Sequence, residues 1–176
     1  FNDTVSNIVN SISKNKFLKL SPAGETRQLS SYNAIKCHNF NHDDILLFHD
    51  AARPFITDDI IINTVSKVKE HGAASVYVPS IDTITVIENS IVTAIPSRDT
   101  LYNTQTPQGI TYSIMKNAHD FAKEKNIANA SDDVMLAIKT GVKVHAVNGS
   151  YDNIKITNPS DLLTAEKILE KNKINS

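Results

Sequence analysis

The segment Ile45-Leu46-Leu47-Phe48 is an apolar run without alternation, and His49-Asp50-Ala51-Ala52-Arg53-Pro54 follows it at once. A strand that is apolar on both sides has to be covered on both faces, which is the situation of a parallel sheet wrapped by helices. It therefore reads as a central parallel strand. The carboxyl ends of such strands are where an open α/β sheet holds ligands, so the polar run behind it puts the Asp50 carboxylate in a binding crevice. The flanking pattern agrees. Strand candidates at 17–20, 75–79, 142–147 and 154–157 alternate with helical periodicity. The helical stretches are Val5, Ile8, Val9 and Ile12; residues 30–38; the segment from Thr57-Asp58-Asp59 to Gly72; Tyr112, Met115, Ala118, His119 and Ala122; residues 131–141; and the stretch behind Asn158-Pro159-Ser160-Asp161. The expected class is α/β, a doubly wound, mostly parallel sheet. One place breaks the alternation. Two β-branched runs, 83–87 and 91–95, flank Glu88-Asn89-Ser90, the signature of a projecting hairpin.

Composition excludes several classes of partner. The 176 residues predict a single domain, spanning 1–176. Eighteen Lys+Arg against 19 Asp+Glu give a net charge of -1, so no basic excess exists to neutralise a nucleic-acid backbone or an anionic membrane. The longest apolar run, residues 134–138, is far short of the roughly twenty residues that span a bilayer. Cys37 is the single cysteine, which rules out an intramolecular disulfide and suits a reducing, cytoplasmic compartment. The chain opens on Phe1 rather than Met, without the charged and apolar regions of a signal peptide, and one reading of that start is a fragment of a longer chain.

Four clusters carry candidate chemistry, each with a plainer reading beside it. A lone carboxylate at Asp50 suits Mg²⁺, which takes one or two carboxylates and completes its shell with phosphate oxygens; pairing with Arg53 is the plain alternative. Lys155, within Asp152-Asn153-Ile154-Lys155-Ile156-Thr157, is either a solvated lysine or a site residue. Thr104-Gln105-Thr106-Pro107-Gln108 offers hydroxyls and amides to a polyhydroxylated ligand or forms an ordinary turn, with Arg98 before it as a phosphate clamp or a solvated cation. Gly24-Glu25-Thr26-Arg27-Gln28-Leu29-Ser30 opens a helix, which favours anions or is simply a cap. The five glycines are too dispersed for a G-x-G-x-x-G or Walker loop, no nucleophile elbow is present, and Cys37, His38 and His42 make a poor zinc set.

Taken in order, His49-Asp50-Ala51-Ala52-Arg53-Pro54, Gln105-Thr106-Pro107-Gln108, Ser131-Asp132-Asp133 and Asn153-Ile154-Lys155-Ile156-Thr157, together with the 24–30 segment, resemble the 2-C-methyl-D-erythritol 4-phosphate cytidylyltransferase family. Its near relative is the ribitol-5-phosphate cytidylyltransferase family. The resemblance implies a Rossmann-like nucleotidyltransferase in which a polyol phosphate oxygen attacks the α-phosphate of CTP, giving a CDP-alcohol and pyrophosphate. It implies Mg²⁺ or another divalent cation at Asp50, and a nucleotide surrounded by Gly24, Glu25, Ser30, Ala51 and Arg53. It further implies an acceptor contacted by Thr83, Arg98, Thr106, Ser131 and Lys155, with Lys155 and Arg98 facing the developing charge. The hairpin would be a dimerisation arm, residues 80–108 would form arm and acceptor loop, and Thr83 and Arg98 would reach into a partner subunit's site. Such transfer is mostly positioning and charge neutralisation, so no covalent nucleophile is expected.

Two departures bear on this resemblance. Relatives begin with a strand and a glycine-rich Arg/Lys loop that embraces the triphosphate, and nothing here matches it; the chain reads as a fragment of a longer enzyme or as a crippled one. Thr85 stands where the methylerythritol enzymes usually carry Lys, and Asp82-Thr83-Ile84-Thr85 with Ile95-Pro96-Ser97-Arg98 and Tyr102 look more like the ribitol enzymes. The remaining motifs favour methylerythritol phosphate and so isoprenoid precursor synthesis; CDP-ribitol formation is the alternative. A non-catalytic nucleotide- or partner-binding domain on the same fold is the alternative of another class.

Overall fold

The computed structural model describes residues 20–128, 130 and 132–174. The helix expected around Val5 to Ile12, most of the 17–20 strand candidate, and Ser131 lie outside the described residues. In chain order the elements are α1 (Arg27–Lys36), β1 (Ile45–Phe48), α2 (Asp58–His71), β2 (Ala73–Pro79), β3 (Val86–Glu88) and β4 (Ile91–Ala94). A short 3-10 turn (Arg98–Thr100) leads into β5 (Tyr102–Thr111), followed by α3 (Tyr112–Glu124), α4 (Asp133–Lys139), β6 (His145–Asn148) and α5 (Pro159–Ile174).

The helices begin and end where local chemistry dictates. The Thr57 hydroxyl accepts the Ile60 amide hydrogen at 3.4 Å, Asp58 and Asp59 place negative charge on the first turn of α2, and Gly72 closes it at φ 84°. Asp132 caps α4 by accepting from the Met135 amide at 2.7 Å. The Asp161 carboxylate, in the first turn of α5, accepts from the amides of Thr157 and Asn158 at 2.8 Å each. In the hairpin, Asn89 and Ser90 both take positive φ (50° and 66°), which matches the twist a two-residue turn between Glu88 and Ile91 needs.

The main sheet has the order β1-β5-β2-β6. β5 is antiparallel to both β1 and β2, while β2 and β6 are parallel, so β1, β2 and β6 run one way and β5 against them. Helices cover both faces. Ile35, Met115, Val134 and Ala137 pack with Ala73 and Ile110 on one side; Ile60 and Val68 of α2 pack with Ala74, Val76 and Val147 on the other. Gly109 leaves α2 room to lie on the sheet, since a Cβ there would meet Val68 at 2.6 Å. The α/β, doubly wound reading holds.

Three details differ from expectation. β1, expected as a central parallel strand, is the sheet edge among the described residues, half-buried, with an antiparallel partner. That partner is β5, whose polar residues read as a loop because Gln105, Thr106 and Gln108 are buried through side-chain hydrogen bonds rather than apolar contact. The 154–157 segment is not a strand: its one main-chain tie to the 50–54 turn is the Ile156 amide to the Ala52 carbonyl at 2.8 Å.

Candidate active site

β1 ends at Phe48 and turns sharply, the Arg53 amide closing back on the Asp50 carbonyl at 2.9 Å. This turn carries Asp50 at the carboxyl end of the strand. Across from it, β5 is irregular: Ser75 pairs with Gln108 and Tyr77 with Thr104, so Val76 alone faces Gln105, Thr106 and Pro107. Extra residues on one strand re-aim side chains, and here they turn Thr106 toward the β1 end and Gln105 toward the loop after β6. The Thr106 hydroxyl accepts the Asp50 amide hydrogen at 3.0 Å and lies 2.9 Å from Nδ1 of His49. The Gln105 amide nitrogen donates to the carbonyls of Ser150 at 2.8 Å and Asn153 at 3.3 Å. Asn153, fully buried, returns a bond to the Thr106 carbonyl at 3.0 Å.

Two cations converge on the Asp50 carboxylate. Lys155 Nζ lies 3.1 Å and Arg53 Nε 3.4 Å from the same oxygen, Oδ2. Partial burial pushes the Asp50 carboxyl up, but the hydrogen bond and charge of Lys155, with the charges of Arg53 and Arg27, outweigh it and hold the group below its ordinary range. Asp50 is therefore an anion at neutral pH. Arg53 spends its remaining donors on the carbonyls of Asn153 (2.8 Å) and Thr104 (3.3 Å), tying the β1 turn, β5 and the 150–157 loop together. Among the described residues Lys155 is held only by Asp50 and stays half exposed, so its ammonium is available to an incoming anion.

A divalent cation fits this donor set in one way. No group of three or more His, Cys, Asp or Glu converges among the described residues, so no all-protein cage exists there. Asp50 Oδ1, by contrast, accepts no hydrogen bond among the described residues, which leaves one hard oxygen to share with a cation whose shell phosphates would complete.

The other sequence candidates fall into two groups. The 24–30 segment forms a hook: the Gly24 amide donates to the Ser30 hydroxyl at 3.0 Å, and that hydroxyl donates to the Thr26 carbonyl at 3.1 Å. A Cβ at Gly24 would run into Leu29 and the Ser30 nitrogen, so glycine is needed for the close approach. Glu25 and Ala51 are exposed. Thr83 and Arg98 meet each other at the base of the arm, Nη2 to Oγ1 at 3.0 Å, and neither bonds to the Asp50 cluster among the described residues. Sequence reasoning assigns no partner to Arg27, Asp133, Gln105 or Asn153; their chemistry is plain, but the groups they meet are distant in sequence and no local pattern reveals them.

A family model for 2-C-methyl-D-erythritol 4-phosphate cytidylyltransferase (IspD) matches residues 2–171. The chain belongs to the 2-C-methyl-D-erythritol 4-phosphate cytidylyltransferase family. It is 39% identical over 170 residues to a 2-C-methyl-D-erythritol 4-phosphate cytidylyltransferase of Clostridium botulinum, covering 96% of this chain and 73% of that protein. It is 41% identical over 158 residues to that of Clostridioides difficile, covering 90% of this chain and 66% of that protein. Among solved structures, 4-diphosphocytidyl-2C-methyl-D-erythritol synthase from Anaerococcus prevotii superposes with a TM-score of 0.85 at 26% identity, over 96% of this chain and 77% of that one. The Francisella tularensis 2-C-methyl-D-erythritol 4-phosphate cytidylyltransferase gives 0.82 at 30% identity, over 89% and 74%. As a member of this family the chain is a CTP-dependent nucleotidyltransferase by kinship. No helix among the described residues is long and apolar enough to cross a membrane.

Proposed function

We propose that this chain is a cytidylyltransferase that joins CMP from CTP to 2-C-methyl-D-erythritol 4-phosphate. The observation that carries the reading is the Lys155–Asp50–Arg53 cluster, an ionised carboxylate with one oxygen open and a half-exposed ammonium beside it, at the carboxyl end of β1 in a fold shared with this family. In the reaction a phosphate oxygen of the acceptor attacks the α-phosphorus of CTP, the bond to the bridging oxygen breaks, and pyrophosphate leaves with that electron pair. No covalent intermediate on the protein is needed, in keeping with a site built from charge and hydrogen-bond donors.

Asp50, through its open oxygen, and not a histidine or cysteine set, would hold Mg²⁺ or another divalent cation. The cation supplies neutralisation of triphosphate charge. Lys155 attracts the acceptor phosphate and offsets the negative charge that builds as the two anions approach. Thr106, itself buried, serves the acceptor by holding the Asp50 turn beside Lys155, and Ser131 is a further acceptor contact. The 24–30 hook, with Ala51, lines the nucleoside side, and Arg53 keeps the walls of the crevice at fixed spacing. Thr83 and Arg98 of the partner subunit complete the acceptor pocket in a homodimer joined through the arm, which exposes Ile84, Val86, Ile87, Ile91, Val92 and Ile95. The lone Cys37 suits a cytoplasmic setting.

The test is pyrophosphate release by the full-length protein with CTP and Mg²⁺, with methylerythritol phosphate or ribitol phosphate offered separately. Release with methylerythritol phosphate is expected. Release with ribitol phosphate alone would transfer the assignment to the ribitol enzymes, whose motifs the 82–85 and 95–98 segments share, and silence with both would favour a binding domain.

A further inference from the structure

Among the described residues, Asp133 is a deeply buried carboxylate to which the reaction gives no role. Its side chain is 2% exposed, and Arg27 Nη1 approaches its Oδ2 to 2.6 Å along a bent path that makes this a contact of charges rather than a linear hydrogen bond. The two residues come from different elements. Arg27 opens α1 and Asp133 opens α4. Helix stability explains Asp133, whose negative charge lies at a positive helix end, but not Arg27, a cation at the same kind of end with no acid in the first turn of α1 to offset it.

The contact is one link in a chain of buried bonds. The Asp133 amide donates to Gln108 Oε1 at 3.1 Å, and Gln108, 1% exposed, pairs across the sheet with Phe48, the residue before His49 and Asp50. A second stitch runs parallel to it. Gln28, next to Arg27, donates to the Ile127 carbonyl at 2.9 Å and accepts from the Ala130 amide at 3.0 Å. The first two residues of α1 thus grip both ends of the segment 127–133.

We propose that Arg27 and Asp133 are a positioning pair that clamps the turn opening α1 to the turn opening α4, holding the nucleotide side and the acceptor side of the Asp50 crevice at one spacing. This rests on the reading of that crevice as the site of cytidylyl transfer. A buried ion pair seldom adds net stability over an apolar pair of similar volume, so the proposal separates folding from function. Asp133 is too buried to touch a substrate, so any effect of its replacement on ligand binding travels through Arg27 and the two turns.

The experiment compares the full-length protein with Arg27→Met, Asp133→Asn, the double variant Arg27→Met/Asp133→Leu and the conservative Arg27→Lys. Thermal unfolding, CTP affinity by calorimetry and the KM for methylerythritol phosphate are measured for each. The single variants strand a buried charge or its partner and lose stability; the double variant is expected to unfold at or above the parent midpoint. It should nevertheless bind CTP about tenfold more weakly and raise the acceptor KM about tenfold, the size of a typical coupling between contacting residues. Arg27→Lys should recover most of the CTP affinity. Unchanged affinity in the stable double variant overturns the pair's role, as does a loss confined to CTP and absent from Asp133→Asn, which would make Arg27 a direct nucleotide contact. Failure of the parent protein to use methylerythritol phosphate would remove the activity assignment alone, since the CTP measurement still judges the pair; a parent that binds no CTP overturns both.

Discussion

The Asp50 carboxylate is shaped by residues from four separate parts of the chain: Thr106 takes its amide hydrogen, Lys155 and Arg53 meet one carboxylate oxygen, and Arg27 adds its charge from α1. Removing the negative charge while keeping the shape therefore isolates its function. Asp50→Asn should lower kcat for pyrophosphate release about 100-fold or more, the usual cost of losing an electrostatic contact made to reacting charge, while the chain still folds. A variant of parental kcat would take Asp50 out of its role. His119 gives a pH prediction. Burial pushes its imidazole below the ordinary histidine range, against the opposing pull of Asp133 and Asp120, and its Nε2 has no hydrogen-bond partner among the described residues. Below about pH 6.5 the unfolded chain takes up the proton first, so this stabilisation is complete above that pH and is lost progressively as pH falls beneath it. Urea unfolding at pH 7.5 and 5.5 should show the loss, and His119→Gln should reduce it. His145, shifted the same way by desolvation and its stacked neighbour His71, leaves a residual slope.

Elements with an apolar period or a chemical boundary marker are legible in the sequence alone. Val68 and Ile60 on one stripe, Thr57 at one end and Gly72 at the other define α2 almost to the residue. Gly72→Ala should cost about 1 kcal/mol in chemical denaturation, since φ 84° disfavours a side chain and a Cβ would meet Ile114 at 2.6 Å. A neutral result would mean that the end of α2 relaxes without penalty. β5 is not legible in this way. Its buried Gln105, Thr106 and Gln108 replace apolar contacts with amide and hydroxyl bonds to residues far along the chain, and Pro107 brings no N–H to a ladder, so a polar stretch with proline looks like a turn. The site divides along the same line. Asp50 is placed by its position behind an apolar strand, whereas Lys155 has the pattern of a solvated lysine and meets Asp50 only because the 150–157 loop folds back. The resemblance to the family points to both residues; their 3.1 Å contact is a property of the fold.

For the molecule as a whole, the question is what the arm is for. Ile87 and Ile91 are 61% and 67% exposed, and the Thr83–Arg98 pair at the arm's base makes no bond to the Asp50 cluster of its own chain among the described residues. If these residues serve a partner's site, breaking the arm and breaking the site should be separable. Ile87→Glu/Ile91→Glu should shift the full-length protein from dimer to monomer in analytical ultracentrifugation and remove most acceptor turnover while leaving CTP binding in place. Mixing inactive Arg98→Ala and Asp50→Asn proteins under conditions of subunit exchange should restore about a quarter of all sites, because half of the dimers in a random mixture are mixed and each mixed dimer holds one site with both residues intact. No recovery would place Arg98 in its own chain's chemistry.

The most direct measurement is the mass of the product. The full-length protein, given CTP, Mg²⁺ and equal amounts of methylerythritol phosphate and ribitol phosphate, should form CDP-methylerythritol in excess over CDP-ribitol, with one pyrophosphate released per product and no product when the divalent cation is chelated. CDP-ribitol as the main product, or no cytidine diphosphate ester at all, would contradict the assignment.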